Sequence, residues 1–416
     1  MHLHRLLART GAAIALAAAF AATKPALAEQ YVVQAGREWA SLAPKLKPGD
    51  EVVLARGTHL PASFNGLSGS PFAPIVIRSS APDQLAEIAA DREAIKLVDC
   101  RHVRIERIAV RHARRAGILI ESTKPGASLD LAISDVLVVG AKGLAEESGL
   151  VARGVRDIGI RRSRFENCVG CGILIDDCEG VTISQVQIAS RTDLSPACAI
   201  RLSGRVWSTL IERSQISGPI ATVLDIGRSE STFHAPSPTA QREAEPLAPS
   251  DAPSDPPAKT AGTAVTPIEP LVRFLVVANV RISGAHRLFS VGSAADSTIR
   301  NVTHRDAHEE VYRISAPPGK RPPVGLRLSE CLVTWSSGAL RQLGGVDPDA
   351  EPRGLVLGPN LWWSRELPAA LPLLGPNDKP FPGTVESDQI LDIEPHFDAR
   401  SRMITPEAAR FGAEDD

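Results

Sequence analysis

The chain has 416 residues, 43% of them hydrophobic and 23% charged, with a formal net charge of −2 at pH 7. Near-neutrality gives no electrostatic footprint for nucleic acid or an anionic membrane surface, so neither is expected as a partner. Aromatic residues make up only 4%, which is thin for a long stacking platform.

Residues 1–28 read as a secretion signal. His2, His4, Arg5 and Arg9 mark the front, an Ala-rich apolar run covers residues 11–22, and Ala26-Leu27-Ala28 supplies a small-residue cleavage pattern. The run is too short to span a bilayer. A mature chain starting near Glu29 is therefore expected in the periplasm or outside the cell, with no membrane insertion after cleavage, and as a monomer. Within residues 31–50, Trp39, Leu42 and Leu46 fall at helical spacing and predict a short amphipathic helix that caps the N-terminal end of the fold. The cap and first turns occupy residues 29–93.

From there a single pattern dominates. Ile158-x-Ile160-x-x-Ser163-x-Phe165 returns around Val181, Ile183, Val186 and Ile188, and again around Thr209, Ile211, Ser214 and Ile216. Each copy is two short alternating segments joined by a polar two-residue kink: Arg161-Arg162, Ser184-Gln185, Glu212-Arg213. Alternation over so few residues predicts strands. The third position recurs as Ile105, Ile133, Ile160, Ile183, Ile211, Val277, Ile299, Leu328 and Leu357, at intervals of 28, 27, 23, 28, 66, 22, 29 and 29. A further short strand precedes each copy and often opens on a small residue, as at Gly117, Gly149, Gly172 and Ala199. Three short strands per repeat and no helix predict an all-β solenoid: a single parallel β-helix of about ten coils. The chain resembles the right-handed parallel β-helix proteins of the pectin-lyase-like group over nearly its whole mature length. The stretch from Pro48-Gly49-Asp50 through Pro74-Ile75-Val76-Ile77-Arg78 is similar to the opening of chondroitinase-B-like and alginate-lyase-like β-helices.

Four of the six cysteines lie between Cys168 and Cys198. Overlaying the coils stacks Cys171 on Cys198, which leaves open either a disulfide or a pair of inward free thiols. Cys168-x-x-Cys171 has no second cysteine pair at finger spacing, so no metal and no cofactor are expected. The one long interval contains residues 229–270, rich in Pro, Ala, Ser and Thr and too poor in large apolar residues to offset its ordering entropy. They read as a disordered loop thrown out of one coil. Residues 364–416 read as a C-terminal capping segment, within which Asp392-Ile-Glu-Pro-His-Phe-Asp398 is similar to the closing run of secreted β-helix proteins.

Chemistry in such a solenoid belongs on outward strand positions. On the strands with small leading residues, one outward row reads Glu121, Arg153, Asp176, Ser203, Gly227, and the other Leu119, Val151, Leu174, Arg201, Asp225. Arg153, Asp176, Arg201 and Asp225 are the candidate catalytic residues, with Glu121, Asp177 and Arg313 as candidate substrate contacts. A guanidinium would neutralise a uronate and an aspartate would move a proton. The alternation in sign also fits a ladder of mutually neutralising ion pairs. The resemblance implies a lyase-type strand-face Lys and Arg beside calcium-binding carboxylates. Here no Lys occurs between Lys142 and Lys259, and no three-carboxylate cluster is visible. His304-Arg-Asp-Ala-His308-Glu-Glu310 and Trp362-Trp363 read as a solvated turn and a capping pair. Two functions are expected on these grounds. One is an exported protein that binds or processes an extracellular or cell-envelope polysaccharide, as a lyase or glycoside hydrolase if it is an enzyme. The other is a non-catalytic scaffold whose surface mediates protein contacts.

Overall fold

A computed structural model describes residues 28–81, 83–140, 148–228, 271–315, 323–336, 339–347, 350, 355–364, 385–386, 395 and 411–413. The expected leader, the loop at 229–270 and most of the C-terminal capping segment lie outside the described residues.

The nine apolar markers form one unbroken column. Ile105 pairs with Ile133, Ile133 with Ile160, Ile160 with Ile183 and Ile183 with Ile211. The column continues through Val277, Ile299, Leu328 and Leu357, all in parallel register. The pairing of Ile211 with Val277 spans the long interval, so the stack is continuous across residues 229–270. A second inward column runs Val110, Val138, Phe165, Ile188, Ile216, Ile282. The third wall of the solenoid is a separate sheet of ten strands, one per coil. The fold is thus a right-handed parallel β-helix. Among the described residues no helix is long and apolar enough to cross a membrane.

The polar kinks are left-handed corners. The residue two places after the marker has φ between 45° and 57° in eight coils, at Arg107, Asp135, Arg162, Gln185, Arg213, Asn279, Asn301 and Glu330. One αL residue turns the chain sharply while both flanking segments stay in the parallel ladder. The small residues that lead the ten-stranded sheet have a different origin. A Cβ on Gly149 would sit 2.6 Å from the Phe165 ring, and one on Gly172 would sit 2.9 Å from Ile188 Cγ2. At these points the backbone packs directly on the second inward column, and there is no room for a side chain.

Two expectations need correction. The N-terminal cap is not an amphipathic α-helix but a six-residue 3₁₀ segment, Ala40–Lys45, containing Pro44; Pro removes a helical donor and keeps the turn short. Trp39 still closes the first coil, donating its indole N–H to Leu60 O at 2.8 Å and meeting the Phe64 ring edge-on at 5.2 Å. His304 is not in a solvated turn. It pairs with Ile282 in the second inward column, is fully buried, and its Nε2 makes a 3.0 Å hydrogen bond with Ala285 O. Trp362, paired with Val333, ends the same column, and both Trp362 and Trp363 are buried.

Candidate functional site

The outward face of the ten-stranded sheet carries three rows of side chains, and strand register fixes their members. The first reads Glu121, Arg153, Asp176, Ser203. Its next member is Arg228, not Gly227, because the register shifts after Leu202 and Gly227 bulges out at φ 69°. The second row reads Lys96, Leu119, Val151, Leu174, Arg201, Asp225, Ser290, Arg313. The third reads Glu93, Ala116, Ser148, Cys171, Cys198, Thr222, Arg287.

Cys171 and Cys198 form a disulfide between neighbouring coils, their Cα atoms 4.9 Å apart. The sequence register placed the pair correctly but on the wrong side. Gly172 takes the inward position, so Cys171 turns out and lines the groove, whereas Cys168 packs into the core.

Along the first row the charges pair as a ladder. Lys96 Nζ lies 3.0 Å from Glu121 Oε2, and Arg153 donates to Glu121 Oε1 at 3.3 Å. Arg153 Nε stands 3.9 Å from Asp176 Oδ2, and the Ser203 hydroxyl donates to Asp176 Oδ1 at 2.9 Å. Arg201 forms a separate pair, donating to Asp225 Oδ2 at 2.9 Å. Arg313 belongs to a third cluster further along the stack, 2.7 Å from Asp347 and 3.3 Å from Glu310, which also binds Arg287. The face therefore unites Glu121, Arg153 and Asp176, sets Arg201 and Asp225 beside them, and leaves Arg313 apart. Lys96 went unrecognised because its strand opens on Glu93 instead of a small residue, although its place can be found by counting one rung back from Leu119.

These rows enclose a groove of about 420 Å³ with Leu119, Val151 and Leu174 as floor. The three form an apolar cluster of their own with Ala116, outside the solenoid core. A second cavity of about 320 Å³ adjoins it, lined by Lys124, Asp177, Arg205 and Trp207 among others. Arg153 and Asp176 line both. Asp176 is only 3% exposed. Burial pushes its carboxyl above the ordinary carboxylate value, the neighbouring Asp177 charge adds to the shift, and the Ser203 hydrogen bond and Arg153 oppose it. Asp177 sits in a left-handed corner at φ 51°, its Oδ1 held at 2.7 Å by the Arg205 backbone N–H. An atom placed above Gly204 would touch oxygens of both Asp176 and Asp177, so the two carboxylates flank one point beside Gly204.

The acids of this face do not suit calcium. Arg153 stands between Glu121 and Asp176, and among the described residues no three His, Cys, Asp or Glu side chains converge as a metal site.

No family model and no curated protein matches the chain. Among solved structures it is similar to a lacto-N-biosidase from Eubacterium ramulus, at 9% identity over 86% of this chain and 67% of that one, with a TM-score of 0.58. An alginate lyase from Paenibacillus sp. aligns at 15% identity over 79% of this chain and 97% of that one, with a TM-score of 0.47. An exopolygalacturonase from Thermotoga maritima aligns at 10% identity over 78% of this chain and 81% of that one, with a TM-score of 0.48. The chain has the right-handed parallel β-helix fold, and the solved structures similar to it include polysaccharide lyases and hydrolases.

Proposed function

We propose that the protein is exported and binds a polysaccharide across the outward face of the ten-stranded sheet, where Asp176 and Asp177 serve hydrolysis of a glycosidic bond. The observation that carries this reading is the position of Asp176. It is a nearly buried carboxyl, raised by desolvation, at the meeting point of two cavities and beside a second carboxylate. A carboxyl that keeps its proton can give it to the leaving glycosidic oxygen while Asp177 attacks the anomeric carbon. A water molecule then displaces Asp177 from that carbon and returns its proton to Asp176, the close spacing of the two carboxylates suiting this two-step route. Arg153, hydrogen-bonded to Glu121, borders both cavities and would hold a sugar hydroxyl across the junction. Lys96, the lysine of this face, is tied to Glu121 and is poorly placed to act as a lyase base. Export is supported by the leader-like segment at 1–28 and by the Cys171–Cys198 disulfide, a bond that oxidising compartments favour.

The test is incubation with a panel of polysaccharides, scoring new reducing ends and retention on immobilised polymer. Wild type is expected to release reducing ends, and Asp176→Asn to lose at least about a hundredfold in rate while still being retained. If no polysaccharide is retained or cleaved, the reading is wrong and the scaffold reading replaces it.

A further inference from the structure

Resting on that reading, we infer that the sugar units held in the groove are uncharged: the site takes a neutral hexose or N-acetylhexosamine chain and not a polyuronate. Among the described residues, each cation lining the groove already has a carboxylate. Arg115 lies 3.3 Å from Glu93, Arg153 3.3 Å from Glu121 and Arg201 2.9 Å from Asp225. The Arg201 pair is the most telling, because Asp225 is only 2% exposed. A uronate approaching Arg201 would have to compete with this buried carboxylate, already 2.9 Å from the guanidinium, which opposes binding of an anion at that point. Asp176, where ionised, would repel the same ligand.

The floor supplies what a neutral ring needs. Leu119, Val151 and Leu174 stand side by side on three consecutive rungs, about 4.8 Å apart. Leu119 and Val151 are each only 5% exposed and form the base of the strip, while Leu174 is half-buried and open to the groove, so the apolar C–H face of a pyranose ring can meet the strip at Leu174. The third row beside it is uncharged over the same rungs: Ala116, Ser148 and the Cys171–Cys198 disulfide. Paired charges at the rim then act as hydrogen-bond donors and acceptors for hydroxyl groups, as in a site built for orientation and not for charge neutralisation. Lys124 and Arg205, the exposed cations nearby, edge the second cavity and do not reach this floor.

The experiment is calorimetric titration of the full chain with hexasaccharides of glucose, mannose, galactose and N-acetylglucosamine, and with hexasaccharides of galacturonate and mannuronate. Each is run at about 50 mM and about 500 mM NaCl. The inference expects a neutral oligosaccharide to bind tightest, with its Kd moving less than about twofold between the two salts. Leu174→Asp should weaken it at least about tenfold, and Leu174→Met, which keeps the apolar floor, should leave it within about threefold. A uronate that binds tighter than every neutral sugar, with an affinity that collapses in high salt, overturns this inference and leaves the proposed function standing. Neutral binding indifferent to Leu174→Asp in a folded variant overturns it as well, since the floor is then not the contact. Absence of binding by every oligosaccharide overturns both.

Discussion

At the scale of single residues, burial shifts the titration of both His304 and Asp176. Burial lowers the His304 imidazole from 6.5 to about 4. The folded protein holds it neutral, so between those values the unfolded chain binds the proton more readily and stability falls as pH drops. The loss is on the order of 3 kcal/mol by pH 4 and is absent above pH 7. Urea denaturation of His304→Gln, which keeps a donor for Ala285 O but cannot titrate, should show a correspondingly shallower acid limb. Equal slopes for the two proteins would refute this. Asp176 is shifted upward by desolvation, so its proton persists above the usual carboxylate range. The rate of polysaccharide cleavage should therefore fall on an alkaline limb displaced above that range. Arg153→Met, which removes the opposing guanidinium, should displace the limb further upward. A limb at the ordinary carboxylate position in both proteins would mean that Asp176 is not the proton donor.

At the scale of elements, the solenoid depends on its corners. Gln185 is exposed and adopts φ 55°, with its backbone N–H bonded to Glu212 O at 3.1 Å. Left-handed geometry is costly for a β-branched residue and mild for asparagine. Gln185→Val should cost about 1–2 kcal/mol, and Gln185→Asn should stay within about 0.5 kcal/mol, both read from urea midpoints. The corners were legible as polar pairs between apolar alternations, because a polar residue is what a solvent-facing bend tolerates. Their dihedral state was legible only at Asp135, Asn279 and Asn301, whose residue types favour αL; Arg, Gln and Glu at the other corners carry no such signature. His304 was misread for a related reason. Its neighbours Arg305 and Asp306 look like a turn, and the carbonyl that satisfies the ring, Ala285 O, lies a coil away.

At the scale of the whole molecule, periodicity alone revealed the stacked columns, because every rung repeats the same burial demand. The groove was only half legible. Glu121, Arg153 and Asp176 came from rung counting, whereas Lys96 and Arg228 depended on an irregular opening and a bulge that shift the count. The outward turn of Cys171 depended on Gly172 filling the inward slot. Continuity of the stack across residues 229–270 makes one further prediction. Joining Arg228 to Leu271 by a short glycine-containing turn, like Gly204-Arg205 between Ser203 and Val206, should leave a single cooperative transition with Tm within about 4 °C of wild type. Two separate transitions in calorimetry would instead mean that the segment divides two folding units.

Hydrogen–deuterium exchange with and without a bound neutral oligosaccharide tests the central claim, that the outward face of the ten-stranded sheet is the ligand surface. Protection should concentrate on Ser148–Arg153, Cys171–Asp176 and Cys198–Ser203 and spare the strands Arg101–Glu106 and Leu129–Ser134 on the opposite wall. Protection confined to that opposite wall, or none at a saturating concentration, would contradict it.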